Sequence, residues 1–232
     1  MIAVCGYSTG AKVLFASVVV SLGACSVLQT PPRPVVYDFG PGVVVQATAT
    51  VTPNPASAPV LPTLPTLVLA EVETTAALDS TAVLYRLAYS DAQQLRPYAQ
   101  ARWSMPPAQL VRQRLRETLG RQRVVLSPGE GIAPGTAALS LRIGVEEFSQ
   151  WFEAADKSSG LVRLRATLSQ TGAGSGSGGE RLIAQRSFVL QRSSLTADAA
   201  GGAQALASAT DAAIAELEQW LQQSQPSVQN TK

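Results

Sequence analysis

The chain predicts an α+β domain, a largely antiparallel sheet covered by two helices in the order β-β-β-α-β-β-β-β-α. Three observations predict it. Apolar residues alternate with polar ones through Leu139, Leu141, Ile143 and Val145, and again through Val162, Leu164, Ala166 and Leu168. That period of two marks half-buried strands. Two other stretches, after Pro106 and after Asp198, carry apolar residues at the spacing of a helix face. This order of elements implies neighbouring antiparallel strands with the helices packed on them.

Taken in turn, Leu67 to Val72 reads as a first strand, and Ala82 to Tyr89, rich in β-formers, as a second. A turn at Ser90-Asp91 leads to a third, Leu95 to Trp103. Ser104-Met105-Pro106-Pro107 opens the first helix, where a proline's missing N–H is not needed. Val111, Leu115, Thr118 and Leu119 give that helix its buried stripe, and Gly120 is its stop. Arg123 to Leu126 is a short strand. The two alternating strands follow, then a connection at Thr171 to Glu180 holding five glycines and two serines. Leu182, Ala184, Phe188 and Leu190 mark the returning strand. The last helix runs from Asp198 to Gln222 with Ala203, Leu206, Ala207, Ile214, Leu217 and Leu221 inward. Thr210 is the one polar member of that face, with its hydroxyl placed to bond a carbonyl of the preceding turn.

The N-terminal region reads differently. Val13 to Leu22 is an apolar run, shorter than the roughly 20 residues that span a bilayer and suited to a signal peptide. Leu22-Gly23-Ala24-Cys25 closes it in the arrangement of a bacterial lipobox, in which the cysteine is acylated and the chain is cut before it. The alternative is an ordinary signal peptide with a chance cysteine. Cys25 is the only cysteine beyond the leader, and acylation accounts for an unpaired cysteine in an exported chain. Residues 1–24 are thus read as leader, 25–66 as an acylated cysteine and tether, 67–222 as the domain and 223–232 as a disordered tail. Nine prolines fall within 26–66, and about forty residues of such chain reach on the order of 120 Å at full stretch. Tyr37-Asp38-Phe39-Gly40 interrupts the tether and is a candidate to pack on the domain.

Composition limits the chemistry. There is no histidine, so the commonest general base and metal ligand is missing, and no cofactor or metal is expected. An acylated Cys25 cannot act as a nucleophile. The glycine run 172–179 contains no lysine and opens no helix, unlike a phosphate loop. Glu146 and Glu147 are adjacent on a strand and point to opposite faces, which fits a solvated strand end better than an acid–base pair. The formal net charge is only +2, so nucleic acid is not an expected partner.

Two groupings stand out. Arg112, Arg114, Arg116, Arg121 and Arg123 surround the first helix, whereas the last helix carries Asp198, Asp211, Glu216 and Glu218 and no basic residue. Tyr85, Tyr89, Tyr98 and Trp103 gather on the second and third strands. Solvated faces and core aromatics account for both. Arginine and aromatics together are also what protein-binding hot spots use. On that reading Arg102, Trp103, Arg112, Arg116, Arg121 and Arg123 are the candidate partner-binding residues.

In order along the chain stand Tyr37-Asp38-Phe39-Gly40, Leu78-Asp79 before Leu84-Tyr85-Arg86, Tyr98 with Arg102-Trp103-Ser104-Met105-Pro106-Pro107, Glu147-Phe148, Arg186-Ser187-Phe188, Asp198-Ala199-Ala200-Gly201-Gly202, and Trp220-Leu221. With these the chain resembles the ABC-type transport auxiliary lipoproteins, the group that includes the PqiC lipoproteins, over about residues 35–222. It departs from them in the proline-rich insertion after Gly40 and the loop at 171–179. The resemblance implies a non-enzymatic accessory role in envelope lipid transport, with an MCE-domain protein and its ABC-type permease as partners. It implies lipid anchoring at the periplasmic face of the outer membrane, and Ser26 after the cysteine is similar to an outer-membrane address. Homo-oligomerisation is left open. The competing readings are a lipoprotein that binds lipid or a small molecule by itself, and an envelope enzyme acting through Glu146 or Glu147.

Overall fold

The longest strand organises the computed structural model. The structure describes residues 33–42, 64–131, 138–171 and 180–224. The chain divides into two units, 1–33 and 34–232, and the elements below all belong to the second. They are β1 (Val35–Tyr37), β2 (Leu64–Leu69), β3 (Glu73–Thr74), β4 (Ala82–Leu87), β5 (Asp91–Trp103), α1 (Pro107–Leu119), β6 (Arg123–Leu126), β7 (Ala138–Ala154), β8 (Lys157–Thr171), β9 (Glu180–Ser193) and α2 (Ala199–Ser224).

β7 pairs along its whole length with β8, antiparallel, from Ala138↔Thr171 to Ala154↔Lys157. Its other edge is filled by three short strands laid end to end, all parallel to it. β2 takes Leu139 to Leu141, β3 takes Gly144 and Val145, and β4 takes Gln150 to Phe152. β6 lies beyond β2, β5 and then β1 lie beyond β4, and β9 lies beyond β8. The long hairpins make the nine-stranded sheet mostly antiparallel. The expected order is recovered with two additions, β1 and β3, each too short to show a period. The parallel neighbours were not foreseen, because alternation reports which face is buried and not which strand lies alongside.

A bulge between Val145 and Glu147 shifts the register of β7. It lets Phe148, Gln150 and Phe152 continue the buried face begun by Leu139, Leu141, Ile143 and Val145. Leu139, Leu141, Ile143, Val145 and Phe148 meet Val162, Leu164, Ala166 and Leu168 of β8, and Phe188 and Leu190 of β9, in one apolar cluster. Both helices contribute to it, and each such buried side chain stabilises the fold by about 1.5–3 kcal/mol. The helices pack on this face alone; Arg142, Arg163 and Arg165 on the opposite face are exposed.

α2 crosses β7, β8 and β9. Asp198 caps it, its carboxylate accepting a hydrogen bond from Gly201 N at 2.8 Å. That bond, helped by the Thr196 hydroxyl, holds the Asp198 carboxyl below the usual aspartate range. Thr210 donates to Leu206 O at 2.8 Å, as its place on the inner face predicts. That face is turned slightly from expectation: Ala205, Ala209 and Ala213 are buried and Ala207 is only partly so. The helix lies so close to β8 that a Cβ at Gly160 would stand 2.5 Å from the Ala205 and Leu206 backbone.

In α1 the buried stripe is Leu110, Val111, Leu115 and Leu119, with Arg114 beside them at 5 % exposure, while Thr118 is only half-buried. Arg114 holds the incoming N-terminal segment. β1 runs parallel to the end of β5, Tyr37 opposite Trp103, and Ser104 N donates to Tyr37 O at 2.8 Å. Asp38 accepts from Gly40 N at 2.7 Å, forming a tight turn. That turn carries the Phe39 ring against Trp103 (centroids 5.7 Å, edge-on) and Phe148 (6.0 Å, stacked). The Arg114 guanidinium donates to Phe39 O and, at 3.3 Å, to Gly40 O. It also pairs with Asp211 of α2 at 3.3 Å and Glu117 at 3.8 Å. Gly42, at φ +69°, passes so near that a Cβ there would sit 2.2 Å from the guanidinium.

The expected tether is therefore divided. Residues 35–40 belong to the domain, and β2 starts at Leu64, three residues early. Residues 43–63 lie between two points fixed on the domain, outside the described residues. The leader with Cys25, the loop 172–179 and the tail from 225 also lie outside them.

Two outcomes test this packing. Gly160→Ala must push α2 from β8, whereas Gly144→Ala meets nothing within 4 Å. Urea unfolding should show the first destabilised by about 1–3 kcal/mol and the second within about 0.5 kcal/mol of the parent. Arg114→Ala strands the Phe39 and Gly40 carbonyls and should cost about 1.5–3 kcal/mol, with faster hydrogen exchange at 35–37. A loss below about 0.5 kcal/mol, as expected for the surface pair of Arg112, would show that Arg114 does not hold the segment.

Candidate interaction surface

The six candidate residues divide between surface and interior. Trp103 ends β5 beneath Phe39 and Phe148 and is 2 % exposed, so it is part of the core and unable to touch a partner. Arg123 opens β6, which lies against β2, and is 1 % exposed. Among the described residues none of its three guanidinium nitrogens has a hydrogen-bond partner, and burial pushes its pKa down against the opposing pull of Glu218. Both residues are corrected from contact residues to interior ones. Trp103 sits at the end of a strand whose two faces could not be told apart in sequence. Arg123 was read as exposed because charge is rarely buried.

Arg102, half-buried, is folded back onto its own strand, donating to Tyr98 O at 2.6 Å and Ala101 O at 2.7 Å. Arg121 is exposed after the helix end. Arg112 and Arg116, one turn apart on α1, are half-buried. Arg112 pairs with Glu71 at 2.7 Å, and Arg116 reaches Ser127 Oγ at 2.5 Å and Glu130 at 3.9 Å. The Nε atoms of both are buried with no hydrogen-bond partner among the described residues. With Glu71, Gln109, Gln113 and Glu117 they line a shallow hollow of about 400 Å³. The Glu130 carboxylate accepts from Ser127 N at 2.8 Å, and this bond, joined by the Ser127 hydroxyl, holds its carboxyl below the usual range.

The opposite charges of the two helices, which read as separate surfaces in sequence, partly meet inside the domain. Arg114 pairs with Asp211, and Glu218 is the carboxylate that acts on Arg123. Burial raises the Asp211 carboxyl pKa and Arg114 lowers it. At the surface of α1 stand the half-buried Arg112 and Arg116 and the exposed Glu117, with Arg121 exposed beyond the helix end.

The tyrosines are divided in the same way. Tyr85 and Tyr98 pack at 4.6 Å between centroids, and the Tyr98 hydroxyl donates to Gln150 Oε1 at 2.8 Å. Gln150, fully buried, in turn donates to Ser158 Oγ at 2.7 Å. Burial, reinforced by Tyr85, pushes the Tyr98 pKa up. Tyr89 alone of the group is exposed. Sequence reasoning missed Gln150, because nothing in a strand's alternation separates a buried glutamine from an exposed one.

Glu146 and Glu147 do not converge. Glu146 pairs with Arg165 at 2.6 Å, while Glu147 is gripped by Arg86 at 2.9 Å and by the Ser149 hydroxyl at 2.7 Å. Among the described residues no group of three histidine, cysteine or acidic side chains stands close enough to hold a metal ion.

Comparison with known proteins places this architecture. No curated protein matches the chain. Among solved structures it is similar to protein XCC0632 from Xanthomonas campestris, at 20 % identity and a TM-score of 0.57, covering 72 % of this chain and 90 % of that one. It is also similar to a protein whose structure is titled only as uncharacterized, at 13 % identity and a TM-score of 0.54, covering 82 % and 99 %. At these identities the likeness is one of fold. The family model described as the ABC-type transport auxiliary lipoprotein component matches residues 46–219, most of the domain built above, and the chain belongs to that family.

Proposed function

We propose that this auxiliary lipoprotein is a non-enzymatic, membrane-anchored docking component of an envelope lipid-transport system. On this reading it is acylated at Cys25 and faces the periplasm from the outer membrane. There it engages an MCE-domain protein served by an ABC-type permease. Family membership across residues 46–219 is the observation that carries the reading. The lipobox-like Leu22-Gly23-Ala24-Cys25 supports anchoring. No helix among the described residues is long and apolar enough to cross a membrane, so the anchor has no described rival of that kind.

The packing of β1 refines the reading. A chain acylated at Cys25 enters the sheet at Val35, ten residues on, which allows about 35 Å at full extension. The domain would thus be held near the bilayer, within a third of the reach that the whole proline-rich run suggests.

For the partner surface we retain Arg112 and Arg116 on α1, with Arg121 beyond the helix end. Outward arginines steer association and set orientation.

Two experiments test this function. Cys25→Ser should leave the protein uncut or free of the membrane fraction when cells are fractionated; normal cleavage with retention in the outer membrane would remove the anchor. Arg112→Glu combined with Arg116→Glu should leave the melting temperature within a few degrees of the parent, since ion pairs with exposed carboxylates such as Glu71 and Glu130 contribute little to stability. The same change should weaken capture of the cognate MCE-domain protein about tenfold or more in a pull-down at low salt. Undiminished capture would move the interface off α1, and no capture by the parent chain would favour a lipoprotein that works alone.

A further inference from the structure

The sheet ends on one side in an unusual edge. Among the described residues β9 pairs only with β8. Edge strands are ordinarily kept short because their unpaired N–H and C=O groups invite another strand. The end strands β1 and β6 follow that rule with three residues and four, whereas β9 has fourteen; the part of β5 before Ala101, which β1 does not cover, is a second long edge among the described residues. Its register on β8 places Phe188 and Leu190 over Leu164 and Val162 in the core and turns Val189 to the opposite face, over Arg163. Val189 is 55 % exposed and Leu182 is 61 % exposed, so the rim carries apolar side chains as well as open backbone.

Its charge is one-sided. Arg181, Arg186 and Arg192 make no ion pair among the described residues. Arg181 donates to Gln170 at 3.2 Å, Arg186 stands 5.1 Å over the Phe188 ring and Arg192 donates to Gln191 O at 3.1 Å. The strand's one carboxylate, Glu180, is already bound by Arg142 and Ser169. By contrast Arg86, Arg112, Arg114, Arg116, Arg142 and Arg165 all have a carboxylate partner.

We propose that the outer edge of β9 accepts an extended, carboxylate-bearing strand of another protein. Backbone hydrogen bonds give such pairing its affinity, and side chains along the rim give it selectivity. The charge excludes the nearer occupants. Every aspartate and glutamate of the chain lies among the described residues, so no segment outside them supplies a side-chain carboxylate. A second β9 laid antiparallel with the two strands centred on each other would set Arg181 of each copy against Arg192 of the other, a like-charge arrangement that destabilises cross-strand pairs. The arginines thus keep copies of the chain apart and select a strand of opposite charge. This surface is independent of the α1 surface proposed above.

The probe is a synthetic 12-residue peptide of alternating valine and glutamate, with its valine–lysine counterpart as control, added to the full chain in non-ionic detergent. The acidic peptide should slow hydrogen exchange in 180–193 at least tenfold and leave α1 unchanged, while the basic peptide should have no effect. Replacing Arg181→Ala, Arg186→Ala and Arg192→Ala together should weaken acidic-peptide binding tenfold or more with an unchanged melting temperature. Protection elsewhere, equal effects of the two peptides, or no binding would overturn the proposal. Protection of β9 that grows with protein concentration alone would assign the edge to a second copy. Protection on phosphatidylglycerol vesicles without peptide would assign it to a lipid surface.

Discussion

A buried guanidinium joins the parts of this domain that are farthest apart in sequence. Arg114 lies almost out of reach of water, and a charge so placed must find its partners within the protein. It finds them in the carbonyls of Phe39 and Gly40, in Glu117 of its own helix and in Asp211 of α2. One side chain therefore fixes α1 against α2 and binds the N-terminal segment to both. Phe39, carried by that segment, closes over Trp103 and Phe148, so the aromatic cluster is complete only when residues 37–40 are in place. The requirement at Gly42 follows, because any side chain there would occupy the space of the guanidinium.

The sheet has a comparable single dependence on β7. Three short parallel strands share one edge of it and a long hairpin takes the other. The bulge after Val145 keeps the same face buried along seventeen residues. With both helices on that face, the other face and the outer strand are left for solvent or partners. On that exposed face Arg142 and Arg165 have carboxylate partners. Arg181, Arg186 and Arg192 of β9 are among the arginines that have none within the described residues, as are Arg96, Arg102, Arg121, Arg123 and Arg163.

This arrangement suits a protein that positions others. The domain is fastened at its N-terminal entry by β1 and the Arg114 contacts, and β1 begins ten residues after Cys25 in the sequence. Its outward features are arginines and an open strand edge. Membership in the ABC-type transport auxiliary lipoprotein family is consistent with those features and gives them a setting.

The chain by itself determined the nature and order of the main elements. Alternation marked Leu139 to Val145 and Val162 to Leu168 as half-buried strands, and helical spacing marked α1 and α2, because burial on one face imposes a period that sequence displays directly. Even Thr210 was legible, since its partner lies one turn away on the same helix. The family was legible too, through short segments such as Arg102 to Pro107. What only the tertiary structure decided depends on residues distant in sequence. β1 and β3 are too short to carry a period and exist because a neighbouring strand pairs with them. The candidate surface lost Trp103 and Arg123 for the same reason: whether an aromatic or an arginine faces water depends on what packs over it. Phe39 covers Trp103, and the interior of the fold encloses Arg123. Local pattern reports a residue's relation to its own element, whereas exposure and pairing are properties of contacts that form only when the chain folds back on itself.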